Sequence, residues 1–161
     1  MVALYLLRHA HAGDPARWTG DDGDRPLSDK GERQAERVAR LLSSAEEAPD
    51  LLITSPKVRA ADTARIVAKA LKVEVVVDQR LMGPLDADVV TDILLAAGPA
   101  ERPCIVGHDP DFSLLLGELI GAGSIPMRKG ALARVDFEGK FIAPARGTLR
   151  FLVPPEVLAN K

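Results

Sequence analysis

The sequence is poor in cysteine, and its charges nearly cancel. Cys104 is its only thiol, so the chain cannot form an internal disulfide, which fits a reducing cytoplasm. Cys104 lies in an apolar run, where cysteine usually acts as a small hydrophobic side chain; a catalytic thiol is the weaker alternative. A formal net charge of −2 gives no general reason to expect nucleic acid or an anionic membrane as a partner.

Long apolar runs are missing as well. No stretch approaches the roughly 20 residues that a membrane span needs. The first residues lack the basic leader, apolar core and small-residue cleavage site of a secretory signal. We therefore expect a cytoplasmic protein without a membrane partner. With 161 residues, the chain is most simply one domain, residues 1–161, with a substantial core.

Strand-like and helix-like segments alternate along most of the chain. Apolar residues at helical spacing predict helices over about 29–43, 57–71, 86–97 and 109–121. Apolar and β-branched runs predict strands over 2–7, 51–54, 73–77 and 103–107, with a late pair over 131–137 and 147–153. This alternation favours an α/β protein with three layers, in which helices cover both faces of a largely parallel central sheet.

Two of the predicted strands end in a histidine. Arg8 and His9 follow the first strand, and His108 follows a later one. A third strand precedes a helix that carries Arg59 in its first turn. Because the carboxyl ends of parallel strands open onto one edge of a sheet, these four side chains could share one pocket. The alternative is structural: a capping arginine and satisfied histidines at the edge of the core.

Two arginines and two histidines suit a phosphoryl group. Guanidinium groups pair with phosphate oxygens, and a helix that begins near Lys57 adds free N–H groups. Carboxylate or sulfate would also fit, but both imidazoles would then have no task. One imidazole, kept neutral by nearby cations, can attack phosphorus, while the other stabilises charge on the phosphoryl oxygens. This chemistry requires no metal and no cofactor, because the arginines supply the positive charge.

Four segments resemble motifs of the histidine phosphatase (phosphoglycerate mutase-like) superfamily. They are 7–10, where Ala10 replaces the glycine of Arg-His-Gly, and 26–35, 55–64 and 106–108. The resemblance implies a phosphoglycerate mutase-like fold. It also implies that His9 is the phosphorylated nucleophile and that Arg8, Arg59 and His108 complete the phosphate pocket.

The short length, the Arg-His-Ala variant and the His-Asp-Pro turn are similar to the small SixA-like phosphohistidine phosphatases. Members that act on sugar or glycerate phosphates carry a glutamate as general acid after the second helix. Here the comparable stretch, 78–88, has no glutamate, and Asp86 and Asp88 are the nearest candidates. A phosphohistidine P–N bond needs less help from an acid than a phosphate ester does. The absence of this acid therefore favours phosphohistidine, or another reactive phosphoryl donor, as the substrate, and the resemblance implies a phosphatase whose partner is a protein that carries phosphohistidine.

Two other functions stay open. One is a phosphatase of a small phosphorylated metabolite, with Asp86 or another acid as proton donor; the other is a non-catalytic phosphate-binding module. Three further residues are candidates for the pocket. His11 is a rim residue or an exposed loop histidine, Ser55 is expected to cap the second helix, and Asp86 is the possible acid.

Overall fold

The structure is a computed structural model that describes residues 1–159. Six strands lie in this part of the chain: β1 (Val2–Arg8), β2 (Leu51–Thr54), β3 (Val75–Val77), β4 (Pro103–Gly107), β5 (Leu132–Phe137) and β6 (Thr148–Val153). The α-helices are α1 (Asp29–Ser43), α2 (Val58–Leu71), α3 (Ala87–Ala97) and α4 (Asp111–Ile120). Short 3-10 turns lie at Pro15–Arg17, Asp22–Asp24, Gln79–Met82 and Pro155–Leu158. None of the helices described here has the length and hydrophobicity that crossing a membrane requires.

One sheet joins all six strands in the order β3-β2-β4-β1-β5-β6. The neighbours from β3 to β1 are parallel, and β5 and β6 are antiparallel to theirs. Apolar side chains of α3 and α4 pack on one face, and those of α1 and α2 pack on the other. The prediction of a three-layer α/β fold with a largely parallel sheet is confirmed. The strands that precede the four candidate residues (β2, β4 and β1) are consecutive in the sheet.

Strand β1 supplies side chains to both layers. Leu4 and Leu6 pack with α3 and α4, whereas Tyr5 and Leu7 pack with α1 and α2. Successive residues of a strand point to opposite faces, so a covered central strand must be apolar at every position. This requirement explains the unbroken apolar run that precedes Arg8.

The observed bounds differ from the predicted ones at a few ends. The predicted strand 73–77 lacks its first two residues in the structure. Lys72 adopts a left-handed conformation (φ 57°) that closes α2, and the Val73 N–H donates to the Ala68 carbonyl at 3.2 Å. Val73 therefore belongs to the end of the helix. Helix α4 begins at Asp111, two residues later than predicted.

Cys104 lies in β4 with its side chain wholly buried. Burial raises the pKa of the thiol, because the thiolate loses its hydration. The thiol therefore stays protonated and packs as a small apolar group, as the composition of its strand predicted.

Candidate active site

The carboxyl ends of β1 and β4, with the helix that follows β2, bring the four candidate residues together. Arg8 is paired with Gly107 in the register of the two strands, and the His9 N–H donates to the Gly107 carbonyl at 2.9 Å. The ring centres of His9 and His108 are 5.3 Å apart. Arg59, in the first turn of α2, is buried beside them and repels both rings electrostatically. The predicted convergence is thus observed.

His9 presents one ring nitrogen with a lone pair. Its Nδ1 lies 2.7 Å from the Ala10 carbonyl oxygen. Because a carbonyl oxygen only accepts, the network assigns the ring proton to Nδ1 and leaves Nε2 unprotonated. Burial is the main cause that lowers the pKa of His9 to about 3, and repulsion from His108 and the two arginines adds to it. The ring is therefore neutral at pH 7, through burial more than through the cations that the sequence suggested.

Ser55 positions His108. The Nε2 of His108 lies 2.7 Å from Ser55 Oγ, which also accepts the Lys57 N–H at 3.2 Å. This geometry suits a hydroxyl that donates to Nε2, so that the ring proton is on Nδ1. Burial, followed by repulsion from Lys57 and Arg59, lowers the pKa of His108 to about 4. The expectation that Ser55 caps α2 is wrong: Lys57 holds the N-cap position, two residues further along.

Each arginine of the pocket forms hydrogen bonds within the protein through only part of its guanidinium group. Arg8 Nη1 donates to the Met127 carbonyl at 2.8 Å and lies 3.7 Å from Asp109 Oδ2. Arg59 Nη1 donates to the Asp22 carbonyl at 2.8 Å, and its Nη2 donates to the Asp22 carboxylate at 3.0 Å. These contacts fix both guanidinium groups and use only part of their donors.

Three buried nitrogen atoms of the pocket have no hydrogen-bond partner within residues 1–159. They are Nε of Arg8, Nε of Arg59 and Nδ1 of His108, and no other buried side-chain nitrogen or oxygen in residues 1–159 shares this state. An unsatisfied buried polar group costs about 1–3 kcal/mol. Three such groups on neighbouring side chains indicate a ligand that accepts several hydrogen bonds, as the oxygens of a phosphoryl group do.

Asp22 is a site residue that the sequence analysis missed. The turn Asp22–Asp24 lies in the loop before α1 and carries Asp22 to Arg59. Arg25 holds this loop in place: its Nε donates to Asp22 at 3.2 Å and its Nη1 donates to the Ala12 carbonyl at 2.7 Å. The hydrogen bond from Arg25, with the charge of Arg59, lowers the pKa of Asp22, which therefore stays ionised. The only local sign of this arrangement in the sequence is that Asp22 lies three residues before Arg25.

His11 lies three residues beyond the end of β1 and is held by the start of α1. Its Nδ1 is 2.6 Å from the hydroxyl of Ser28, the N-cap of α1, and the Gly13 N–H approaches the same nitrogen at 3.3 Å. An Nδ1 that accepts from Gly13 leaves the proton on Nε2. Gly31 is required here because a Cβ at that position would collide with the His11 carbonyl. His11 is thus a fixed, half-buried residue and not an exposed loop histidine.

Asp86 lies apart from the four residues. It is the N-cap of α3, where its carboxylate accepts a backbone N–H at 2.8 Å. The next residue, Ala87, donates its N–H to Glu118 at 2.9 Å. Glu118 is seven residues into α4 and hence roughly 10 Å beyond the start of that helix, at 1.5 Å per residue. In residues 1–159, no hydrogen bond or ion pair joins Asp86 to the pocket, so its expected place there is not observed.

Known proteins share this sequence pattern. Residues 4–83 match the family model described as "Histidine phosphatase superfamily (branch 1)". An uncharacterised protein of Picosynechococcus sp. is 36% identical over 84% of this chain and 89% of its own length. A Proteus mirabilis protein named "Probable phosphoglycerate mutase GpmB" is 32% identical over 73% of this chain. The match spans 56% of that relative's length.

Solved structures share the fold. The structure of the protein histidine phosphatase SixA complexed with tungstate has a TM-score of 0.82 at 23% identity, covering 98% of this chain and 99% of that one. A mycobacterial glucosyl-3-phosphoglycerate phosphatase complexed with VO3 has a TM-score of 0.71 at 20% identity, covering 94% of this chain and 98% of that one. At these identities the likeness concerns the fold.

Proposed function

Because this chain belongs to the histidine phosphatase superfamily and shares the fold of SixA, we propose that it is a metal-independent phosphatase with a phosphohistidine intermediate. One observation carries the proposal. A buried, neutral His9 lies among the three unpartnered nitrogen atoms of Arg8, Arg59 and His108. A nucleophile and the donors for a phosphoryl group thus share one pocket.

In the proposed reaction, His9 Nε2 attacks the phosphorus atom. The N–P bond forms as the bond to the leaving group breaks, and the bonding electron pair departs with the leaving group. The guanidinium groups of Arg8 and Arg59 bind the phosphoryl oxygens, and His108 donates its Nδ1–H to them. Water then attacks the phosphorus, which releases inorganic phosphate and returns His9 to its neutral state.

We further propose phosphohistidine on a protein as the substrate. Asp22, whose carboxylate pairs with Arg59, is held ionised and is a poor proton donor. An imidazole leaving group tolerates this better than the alkoxide of a phosphate ester. The relation to the protein named GpmB favours the second candidate, a small phosphorylated metabolite, which would need an acid from elsewhere. A cytoplasmic location is part of the proposal, supported by the reduced, buried Cys104.

Steady-state kinetics tests these alternatives. We expect kcat/KM for a phosphohistidine-bearing phosphotransfer domain to exceed that for sugar phosphates and nucleotides by about 10²-fold, a gap of roughly 3 kcal/mol. Turnover of p-nitrophenyl phosphate should survive exhaustive chelation. A preference for one sugar phosphate would select the metabolite phosphatase. Absence of turnover, even with the aryl phosphate, would leave a phosphate-binding module and overturn the proposal.

A further inference from the structure

A lysine that has no anionic partner among residues 1–159 lies next to the pocket. Lys129 is half-buried in the segment between α4 and β5, and this segment is tied to the end of β1. Arg8 donates to the Met127 carbonyl at 2.8 Å, and the Gly130 N–H donates to the carbonyls of Arg8 and His9 at 3.1 and 3.0 Å. Gly130 adopts the left-handed conformation (φ 80°) that this path requires. The backbone therefore fixes Lys129 beside the active site.

The charged neighbours that act on Lys129 are cations. Burial lowers the pKa of its ammonium group, and repulsion from Arg8, Arg25, Arg59 and Lys30 lowers it further. No aspartate or glutamate of residues 1–159 forms an ion pair with Lys129. A partly buried cation among like charges is unfavourable unless an anion joins it.

His11 is a neutral residue beside the same cations. Burial lowers its pKa, followed by repulsion from Lys129, Lys30 and Arg25. With Nδ1 engaged by Ser28, its Nε2–H remains as a donor. We call Lys129, His11, Lys30 and Arg25 the basic rim. The rim adds three cations and one ring N–H to the donors that already serve the transferred phosphoryl group.

We propose that the basic rim binds a second anionic group of the substrate, beside the phosphoryl group that His9 receives, and that Lys129 is its main contact. This inference rests on the proposed phosphatase function for the identity of the first group. The second group is an oxyanion. In a phosphoprotein it is the carboxylate of an acidic side chain near the phosphohistidine, and in a small substrate it is a further phosphate or carboxylate.

Calorimetric titration with inorganic phosphate and pyrophosphate tests the rim without requiring turnover. Wild-type protein should bind pyrophosphate more tightly than phosphate. Lys129→Met should lower the ratio of the two affinities by about tenfold, as expected for one lost charge-assisted contact. Lys129→Arg should keep most of the ratio, and circular dichroism should show that both variants are folded.

Lys57→Met is the matched control for a general charge effect. Lys57 is also half-buried, but it acts on His108 and is accompanied by Asp111. Loss of the Lys57 charge should change the affinity ratio by less than about threefold, because Lys57 is not one of the rim residues proposed to contact the second anion. An unchanged ratio in Lys129→Met, or an equal fall in Lys57→Met, would overturn the inference.

A peptide pair distinguishes the two sources of the second anion. Two phosphohistidine peptides that differ only in a flanking Glu or Gln are compared by kcat/KM in wild type and in Lys129→Met. A preference for Glu that disappears in the variant supports a phosphoprotein source. Lys129-dependent selectivity for pyrophosphate alone supports a small substrate. Lys129-dependent binding without hydrolysis of any donor would reject the phosphatase function and support the proposed role of the basic rim. Hydrolysis without Lys129-dependent selectivity would support the phosphatase function and reject the role of the rim.

Discussion

Buried or half-buried arginines lie in two regions of the protein, and their hydrogen bonding differs. At the carboxyl edge of the parallel strands, Arg8 and Arg59 each keep an Nε that has no partner in the described part of the chain. On the antiparallel strand β5, Arg134 donates to both carboxylate oxygens of Asp136 at 2.7 and 3.1 Å. It also pairs with Glu47 at 2.6 Å, so its guanidinium group is surrounded by anions.

The pKa values of Arg8 and Arg134 differ in the same way. The Asp136 and Glu47 carboxylates raise the pKa of Arg134, whereas burial lowers that of Arg8. An arginine whose donors face anions of the same chain stabilises the fold. An arginine that keeps a buried donor open beside other cations is prepared for an external anion. This contrast separates the structural cluster of Arg134 from the proposed phosphate pocket.

Removal of the nucleophile should have the largest effect. His9→Ala is expected to lower the turnover of p-nitrophenyl phosphate by more than about 10⁴-fold, because no other group can form the intermediate. Tyr5→Phe is the control in the structural region, where the Tyr5 hydroxyl donates to the Glu47 carbonyl at 2.7 Å. It should cost about 1 kcal/mol of unfolding free energy and leave activity within about twofold. Substantial hydrolysis by His9→Ala would reject covalent catalysis.

Substitution of one arginine from each region tests the contrast directly. Arg59→Ala should lower kcat/KM by on the order of 10²–10³ and keep the midpoint of urea unfolding near that of wild type. Arg134→Met should destabilise the fold by about 1–3 kcal/mol, after allowance for solvent around Glu47, and keep kcat/KM within about threefold. If both variants lost activity and stability to the same extent, the two regions would not differ as described.

The two histidines predict a loss of stability in acid. The pKa values of His9 and His108 are about 3 and about 4 in the fold, below the ordinary value of 6.5. Between pH 6.5 and 4 the unfolded chain therefore binds more protons, so the unfolding free energy falls as the pH falls. Each histidine contributes up to about 1.4 kcal/mol per pH unit.

Urea unfolding at pH 7, 6 and 5 measures this loss. A variant with both His9→Asn and His108→Asn, which has no imidazole to protonate in the pocket, should lose less stability over the same range. Equal pH dependence in the two proteins would contradict the buried, neutral state of the rings.

Removal of the Asp22 carboxylate, which pairs with Arg59, should have the smallest effect. Asp22→Asn keeps the backbone carbonyl that Arg59 contacts but removes a competing charge, so inorganic phosphate should bind about two- to fivefold more tightly. Asp24→Asn is the control, since it removes an acid from the same turn and forms no ion pair with Arg59 in the described residues. Calorimetric titration measures both, and weaker binding in Asp22→Asn would assign the carboxylate a supporting role.

Local sequence patterns predicted the framework of the fold because each pattern has a local cause. The strand 103–107 is bounded by Pro103 and Gly107 and appears with those bounds. The helix over 29–43 follows from its N-cap Ser28 and its apolar spacing. The four main residues converge because each lies at the end of a parallel strand or shortly after it, so topology alone brings them to one edge. Their catalytic roles stay a prediction.

Contacts between distant segments were not predictable in this way. Arg59 and Asp22 are 37 positions apart, and no periodic pattern records the turn that joins them. Ser55 resembles a helix cap in the sequence, but its contact with His108, 53 positions away, determines its role. In the sequence, Lys129 is part of a basic pair with Arg128, and such a pair most often lies on the surface. Its position beside the pocket depends on how the segment after α4 returns to β1.

Trapping the phosphorylated enzyme tests most directly whether His9 Nε2 accepts the phosphoryl group. The protein is mixed with a ³²P-labelled phosphoramidate or phosphohistidine donor and quenched in alkali, in which phosphohistidine survives. The label is then located by peptide mass spectrometry and the isomer by ³¹P NMR. We expect phosphate on His9 as the Nε2 isomer, because the Ala10 carbonyl engages Nδ1. No label, label on another residue, or the Nδ1 isomer would contradict this structure of the active site.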